Sequence, residues 1–214
     1  MIRLTAVDKR FDSGLEALRG VDFEVPAGQF AALLGPSGCG KSTILRLVAR
    51  LDQPSRGTVE VGSDVAGSAI SYVFQEPTLM PWATLFDNVC LPLRIAGISR
   101  AEARNRIAPV LASLGLAGFE GAYPAELSGG MRMRASIARA LVTRPRVLLM
   151  DEPFAALDEI TRARLNDDLL ALWQAQGFTV LLVTHSVFEA VYLSQRVLVM
   201  SARPGRLVGD LVVD

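Results

Sequence analysis

The sequence predicts a mixed α/β domain with a β-rich N-terminal lobe, a parallel-sheet core and an inserted helical lobe. Three observations lead there. Residues 1–74 hold short apolar runs separated by Gly, Pro and Asp, the punctuation of short strands. From Glu76 to Val142 that signal gives way to helix-length stretches. From Val147 onward strand-like and helix-like segments alternate, and strand–helix–strand order implies parallel pairing.

In chain order, strands are expected over 2–7, 21–25, 30–34, 58–61 and 69–74, with a helix over 42–50 after the third of them. The helical lobe, 76–142, is punctuated at Pro81, Pro92, Gly97, Gly115 and Pro124, where helices are expected to break. Strands resume at 147–150, 179–184 and 197–200, with helices over 158–176 and 186–194 between them. No internal repeat or low-complexity segment interrupts this order, so 1–214 reads as one domain.

Composition narrows what such a domain does. Its 22 basic and 22 acidic residues cancel, leaving no basic field of the kind that drives sequence-independent nucleic-acid binding, so no nucleic-acid partner is expected. The two cysteines, Cys39 and Cys90, have neither paired nor metal-ligand spacing, which favours a reducing, cytoplasmic compartment. The opening Met1-Ile2-Arg3-Leu4-Thr5 does not read as a secretion signal, and no apolar run approaches the roughly 18 residues a membrane-spanning helix requires.

The most specific local motif is Gly35-Pro36-Ser37-Gly38-Cys39-Gly40-Lys41-Ser42, set between an apolar strand and an amphipathic helix. In that context it reads as a phosphate-binding loop of the P-loop NTPase type. Glycines let successive N–H groups converge on phosphate oxygens, and the helix N-terminus adds positive partial charge. Lys41 reaches toward the β- and γ-phosphates of a nucleotide, Ser42 offers a hydroxyl to Mg²⁺, and residues 35–43, Thr43 included, form the expected segment for binding the nucleotide's phosphates. Cys39 lies beside Lys41, a setting that makes thiols reactive, so a thiol shielded by bound nucleotide is expected. The bland alternative is a glycine turn with a solvated lysine.

Two further groups point to the same chemistry. The strand 147–150 ends in Asp151-Glu152, where Asp151 is a candidate Mg²⁺ ligand and Glu152 a candidate base for an attacking water; alone, such a pair is more often a solvated turn. His185, the one histidine, follows the apolar strand 179–184, and parallel pairing puts it at the same sheet edge as Asp151. A structural histidine and a γ-phosphate contact are both open readings.

Leu127-Ser128-Gly129-Gly130-Met131 opens a helix, with Ser128 as N-cap and two glycines baring backbone amides. Taken alone it is an ordinary capped helix. In order with the phosphate loop and Asp151-Glu152, it makes the chain resemble, over nearly its whole length, the ATP-binding cassette of ABC transporters. The resemblance implies an ATPase that drives transport through separate membrane permease subunits, and a homodimer that sandwiches ATP. Ser128, Gly129 and Gly130 then meet the γ-phosphate held by the opposite chain. It also implies that Phe11 stacks on adenine, a strand-end core aromatic being the alternative. Gln75 then acts in catalysis as the residue that senses Mg²⁺ and the membrane partner, a surface polar residue being the alternative. Lys41, Glu152 and His185 complete the catalytic set, and Ser42, Gln75 and Asp151 the metal set.

Within the family, the stretches 75–82, 152–158 and 201–206 are similar to importers of nitrate, sulfonate and taurine-type compounds. That similarity implies an extracytoplasmic substrate-binding protein and a location on the inner face of the membrane. Three departures stand out: Met133 where glutamine is frequent, Ser186 where aspartate often follows the histidine, and an end soon after Arg206 that puts a C-terminal regulatory function in doubt. A non-transport cassette ATPase is the rival reading; long coiled-coil insertions or tandem cassettes would mark it. Finally, Leu79-Met80-Pro81-Trp82 is a compact apolar stretch among turn-forming prolines, expected to be partly exposed and to bind the permease, unless Trp82 packs within its own lobe.

Overall fold

A computed structural model describes residues 1–62 and 70–213. Its strands are β1 (Ile2–Arg10), β2 (Glu16–Val25), β3 (Phe30–Leu34), β4 (Arg56–Val61), β5 (Ile70–Val73), β6 (Val147–Asp151), β7 (Thr179–Thr184), β8 (Arg196–Met200) and β9 (Leu207–Val212). Its α-helices are α1 (Lys41–Val48), α2 (Leu85–Ile95), α3 (Arg100–Ser113), α4 (Gly129–Leu141), α5 (Glu159–Gln176) and α6 (Val187–Leu193). The chain divides into two compact units.

The first unit comprises 1–72, 146–152 and 177–214. Among the described residues it carries an antiparallel sheet in the order β2-β1-β4 and a larger sheet in the order β5-β6-β7-β3-β8-β9. β3 pairs in parallel with both β7 and β8, and β6 with β7, as the alternation of segments predicts. The reason is visible in composition: β7 is buried along its whole length, β6 and β3 except at their last residues, as parallel strands covered on both faces require. Leu18, Ile44, Leu45, Leu149 and Leu181 belong to one core that joins the antiparallel sheet, α1 and the parallel sheet.

Register decides where the functional ends of these strands lie. Leu34 is opposite Thr184 and Asp151 opposite Val183, so β3, β6 and β7 finish at one edge of the sheet. The segments that follow them, 35–40, Glu152 and His185, therefore emerge together. The expected strand at 69–74 is observed as β5, with Ala69 outside the described residues. β9 was not expected; it is an antiparallel edge strand on β8.

The second unit comprises 73–145 and 153–176, so the helical segment expected over 76–142 falls within it and α5 joins it. Its helices begin as their sequences dictate. Thr84, Ser99 and Ser128 each accept a hydrogen bond from the backbone N–H three residues on, capping α2, α3 and α4. Pro92 does not break its helix: α2 runs through it for three more residues and ends near Gly97, whose φ of 77° the missing Cβ permits. Proline removes one N–H late in the helix, where few further turns depend on it.

Candidate nucleotide site

Between β3 and α1 the chain turns through Gly38 (φ 74°) and Gly40 (φ 102°), left-handed conformations that favour residues without a Cβ. Gly40 is the N-cap of α1, so the loop delivers that helix's free N–H groups. Lys41, the first helical residue, is only 4% exposed, and its Nζ donates to the carbonyls of Gly35 and Pro36 at 2.8 and 3.0 Å. Its ammonium is thereby held within the loop rather than in solvent.

Four groups from three other segments meet this loop. Ser42 Oγ donates to Asp151 Oδ1 at 2.9 Å, and Tyr72 Oη donates to Asp151 Oδ2 at 3.0 Å. Each carboxylate oxygen of Asp151 therefore has its own hydroxyl. Burial pushes the Asp151 carboxyl above its ordinary value, against the opposing pull of these two hydroxyls, and burial likewise pushes the Tyr72 phenol up. Glu152 stands next to Asp151 but off the strand, at φ 45°, a costly conformation for a residue with a side chain. Its Oε1 lies 3.7 Å from Lys41 Nζ and its Oε2 3.0 Å from His185 Nδ1. One carboxylate thus bridges the loop lysine and the histidine.

Mg²⁺ fits this donor set. A hydroxyl and a carboxylate converge as hard oxygen ligands, and the desolvation cost still borne by Asp151 is of the kind a bound cation offsets. Among the described residues no cluster of three or more His, Cys, Asp or Glu is placed to hold a metal.

Lys41, Ser42, Asp151, Glu152 and His185 are thus brought together as expected. Phe11 lies in the same unit, on the turn after β1, where its N–H donates to Leu15 O and the Lys9 ammonium sits 5.1 Å from its ring centre. It is part-exposed, which leaves ring surface accessible. Gln75 and 128–130 belong to the second unit. There Gln75 is exposed, and the segment after it is fixed by Arg139, whose guanidinium donates to Pro77 O, Thr78 O and Thr78 Oγ1. Ser128 and Gly129 are exposed at the start of α4, and a Cβ on Gly130 would come within 2.5 Å of Thr161 Cγ2.

One expectation is overturned. The Cys39 thiol is 1% exposed and packs into the core near Gly35, so it is not a reactive group that nucleotide shields. The loop residues on either side of it, Gly38 and Gly40, take left-handed backbone, and the side chain between them turns inward. Tyr72 was missed. Its signal was faint: a hydroxyl-bearing residue on a strand whose neighbour in the sheet is β6, an adjacency that sequence does not display.

Comparison with known proteins agrees with this geometry. The sequence pattern of the ABC transporter family matches residues 18–155. An uncharacterized ABC transporter ATP-binding protein of Methanocaldococcus jannaschii is 46% identical over 214 residues, covering 99% of this chain and 80% of the relative. An aliphatic sulfonates import ATP-binding protein of Rhodopseudomonas palustris is 48% identical over 197 residues (92% and 69%), and a taurine import ATP-binding protein of Rhizobium johnstonii 44% over 208 (96% and 79%). Among solved structures, a dimeric post-hydrolysis state of the ATP-binding cassette MJ0796 bound to ADP and Pi superposes with a TM-score of 0.88 at 32% identity, covering 100% of this chain and 99% of the other. Phosphate loop, strand-tip carboxylates and matching fold together place the chain in the ABC transporter family, as an ATP-hydrolysing cassette with the cassette's mixed α/β fold.

Proposed function

We propose that this cassette is the motor of an importer for small sulfonate-, taurine- or nitrate-type solutes, working as a homodimer beneath separate permease subunits on the cytoplasmic face of the membrane. The observation that carries the mechanism is the Glu152 carboxylate set between Lys41 Nζ and His185 Nδ1, with Ser42 and Asp151 beside it. ATP lies along 35–43, its phosphates on the loop amides and Lys41, with Phe11 against adenine. Ser42 and Asp151 would hold Mg²⁺, Gln75 being the further ligand that the family resemblance implies, and the ion would supply charge neutralisation for the phosphate oxygens. Tyr72 keeps Asp151 oriented through its second oxygen. Glu152 orients the attacking water and takes its proton as oxygen bonds to the γ-phosphorus and the bond to the β–γ bridging oxygen breaks. His185 holds Glu152 and contacts the γ-phosphate, while Ser128, Gly129 and Gly130 of the second copy close over it. The 1–214 chain acts as one ATPase domain with 76–142 as its helical part.

Import and the solute class are supported by the relatives named for aliphatic sulfonate and taurine import. No helix among the described residues is long and apolar enough to cross a membrane, which fits a motor that needs a separate permease. A substrate-binding protein outside the membrane completes the system. The experiment is reconstitution with the permease from the same operon: ATPase activity should rise several-fold when the cognate binding protein carries taurine or an alkanesulfonate. No stimulation by any sulfonate or by nitrate would reject the solute class.

In this reading the permease contacts Trp82; its 77% exposure, which shows that it does not pack within its own unit, supports that role. The turn that presents it is tied by hydrogen bonds. The buried Asn88 side chain accepts from Met80 N–H and donates to the carbonyls of Met80, Ala83 and Thr84. An exposed indole on a fixed turn loses little entropy on binding, the property of an interface anchor. Trp82→Ala should leave ATP binding by the isolated subunit unchanged while costing permease association about 2 kcal/mol or more, read as loss of co-purification. A mutant with full assembly and transport removes Trp82 from the contact.

A further inference from the structure

The segment 201–206 takes no part in the chemistry above, yet it is built against the phosphate loop. Its base is closed by Ser201 N–H donating to Arg206 O and Arg206 N–H donating to Ser201 Oγ, at 2.9 and 3.1 Å. Gly205 is buried against the loop so closely that a Cβ there would fall 2.0 Å from Cys39 O. It is tied to β2 by Gly205 N–H donating to Ala17 O and by Arg19 N–H donating to Gly205 O. From this anchored turn Arg203 extends its guanidinium over Gly38, where Nε and Nη2 both donate to Gly38 O, at 3.0 and 2.9 Å.

We infer that Arg203 is a positioning residue of the phosphate loop, one that fixes the Gly38–Cys39 peptide so that its N–H, and not its carbonyl, is offered to the phosphates. A trans peptide is planar, with C=O and N–H on opposite sides, so holding one group sets the direction of the other. Gly38 lacks a Cβ, and its backbone alone does little to resist rotation of that peptide. A rotated peptide would aim a carbonyl dipole at a polyanion. The Cys39 N–H makes only a long contact, 3.4 Å to Pro36 O, and so has a donor to give. Two charge-assisted bonds from one planar guanidinium hold Gly38 O outward, and the cation adds positive potential beside the loop. Arg203 is itself exposed, so it contributes this hold without filling the core.

This inference rests on reading 35–43 as the phosphate site, and the experiment separates the two. MgATP and adenosine are titrated calorimetrically into the isolated wild-type subunit and into Arg203→Ala, Arg203→Lys and Lys41→Ala, with the nucleotide-free melting temperature of each. Arg203→Ala should bind MgATP about tenfold more weakly, the scale of a lost charge-assisted hydrogen bond, with adenosine affinity and melting temperature unchanged. Its KM for MgATP should rise with kcat near wild type, because Arg203 touches no reacting atom. Arg203→Lys should recover only part of the loss, since an ammonium cannot reproduce the fork. Wild-type MgATP affinity in Arg203→Ala, complete recovery in Arg203→Lys, or equal weakening of MgATP and adenosine with a lower melting temperature each overturns the inference. If Lys41→Ala binds MgATP like wild type, the phosphate-site reading itself fails, and the brace with it.

Discussion

Glu152→Gln should abolish steady-state ATP hydrolysis, by about 10²-fold or more, while MgATP binding remains close to wild type. The exchange keeps shape and hydrogen-bonding reach but leaves an amide that cannot accept the water's proton. Binding survives because the loop amides, Lys41, Ser42 and Asp151 are untouched. Glutamine also meets the same backbone demand at φ 45°, so no new strain is introduced. What is lost besides the base is the charge shared by Lys41 and His185. The arrested protein should accumulate as an ATP-bound dimer, seen by light scattering after size exclusion. Phosphate release decides the matter: a variant that turns over at the wild-type rate removes Glu152 from the mechanism.

Gly40→Ala should be the most damaging single-methyl substitution in the loop. A Cβ at Gly40 would lie 2.6 Å from Leu18 Cδ2 and 3.0 Å from Ala17 O, with the backbone held at φ 102°. The leucine methyl can move; the carbonyl cannot. Relief requires the start of α1 to shift, and that start aims the helix N–H groups and Lys41. Strain of about 1–3 kcal/mol should appear as a lower melting temperature, and MgATP affinity should fall by about tenfold or more. Gly97→Ala is the control: its φ is also positive, 77°, but a Cβ there meets nothing within 4 Å. If the two variants lose equal stability and neither loses ATP affinity, packing against β2 does not set the loop.

The contrast between these sites and others explains what could be read in advance. Asp151, Glu152 and His185 sit where apolar strands stop, an abrupt change from buried to polar residues that is visible in one dimension, and Lys41 and Ser42 close the glycine-rich motif that follows another such strand. β3, β6 and β7 were visible for the same reason. β9 was not, because as an edge strand it has mostly exposed side chains and carries Gly209 and Asp210, which leaves no apolar run. Tyr72 and Arg203 were hidden differently. Each acts through contact with a segment far away in sequence, Asp151 in one case and Gly38 in the other, and neither contact is announced by local pattern. The Cys39 reading failed on direction: neighbours in sequence located the residue in the loop, but only the backbone turn showed that its side chain leaves the loop for the core.

That inward turn makes the protein convenient for spectroscopy. Both cysteines, Cys39 and Cys90, are sealed from solvent, so maleimide reagents should find almost nothing to modify in the folded wild-type chain. A single cysteine introduced on the surface can then carry a spin label or fluorophore without first removing the native thiols, and with them the packing beneath the nucleotide loop. In the homodimer proposed above, distances between such labels on the two copies would follow its closing and reopening through the ATP cycle.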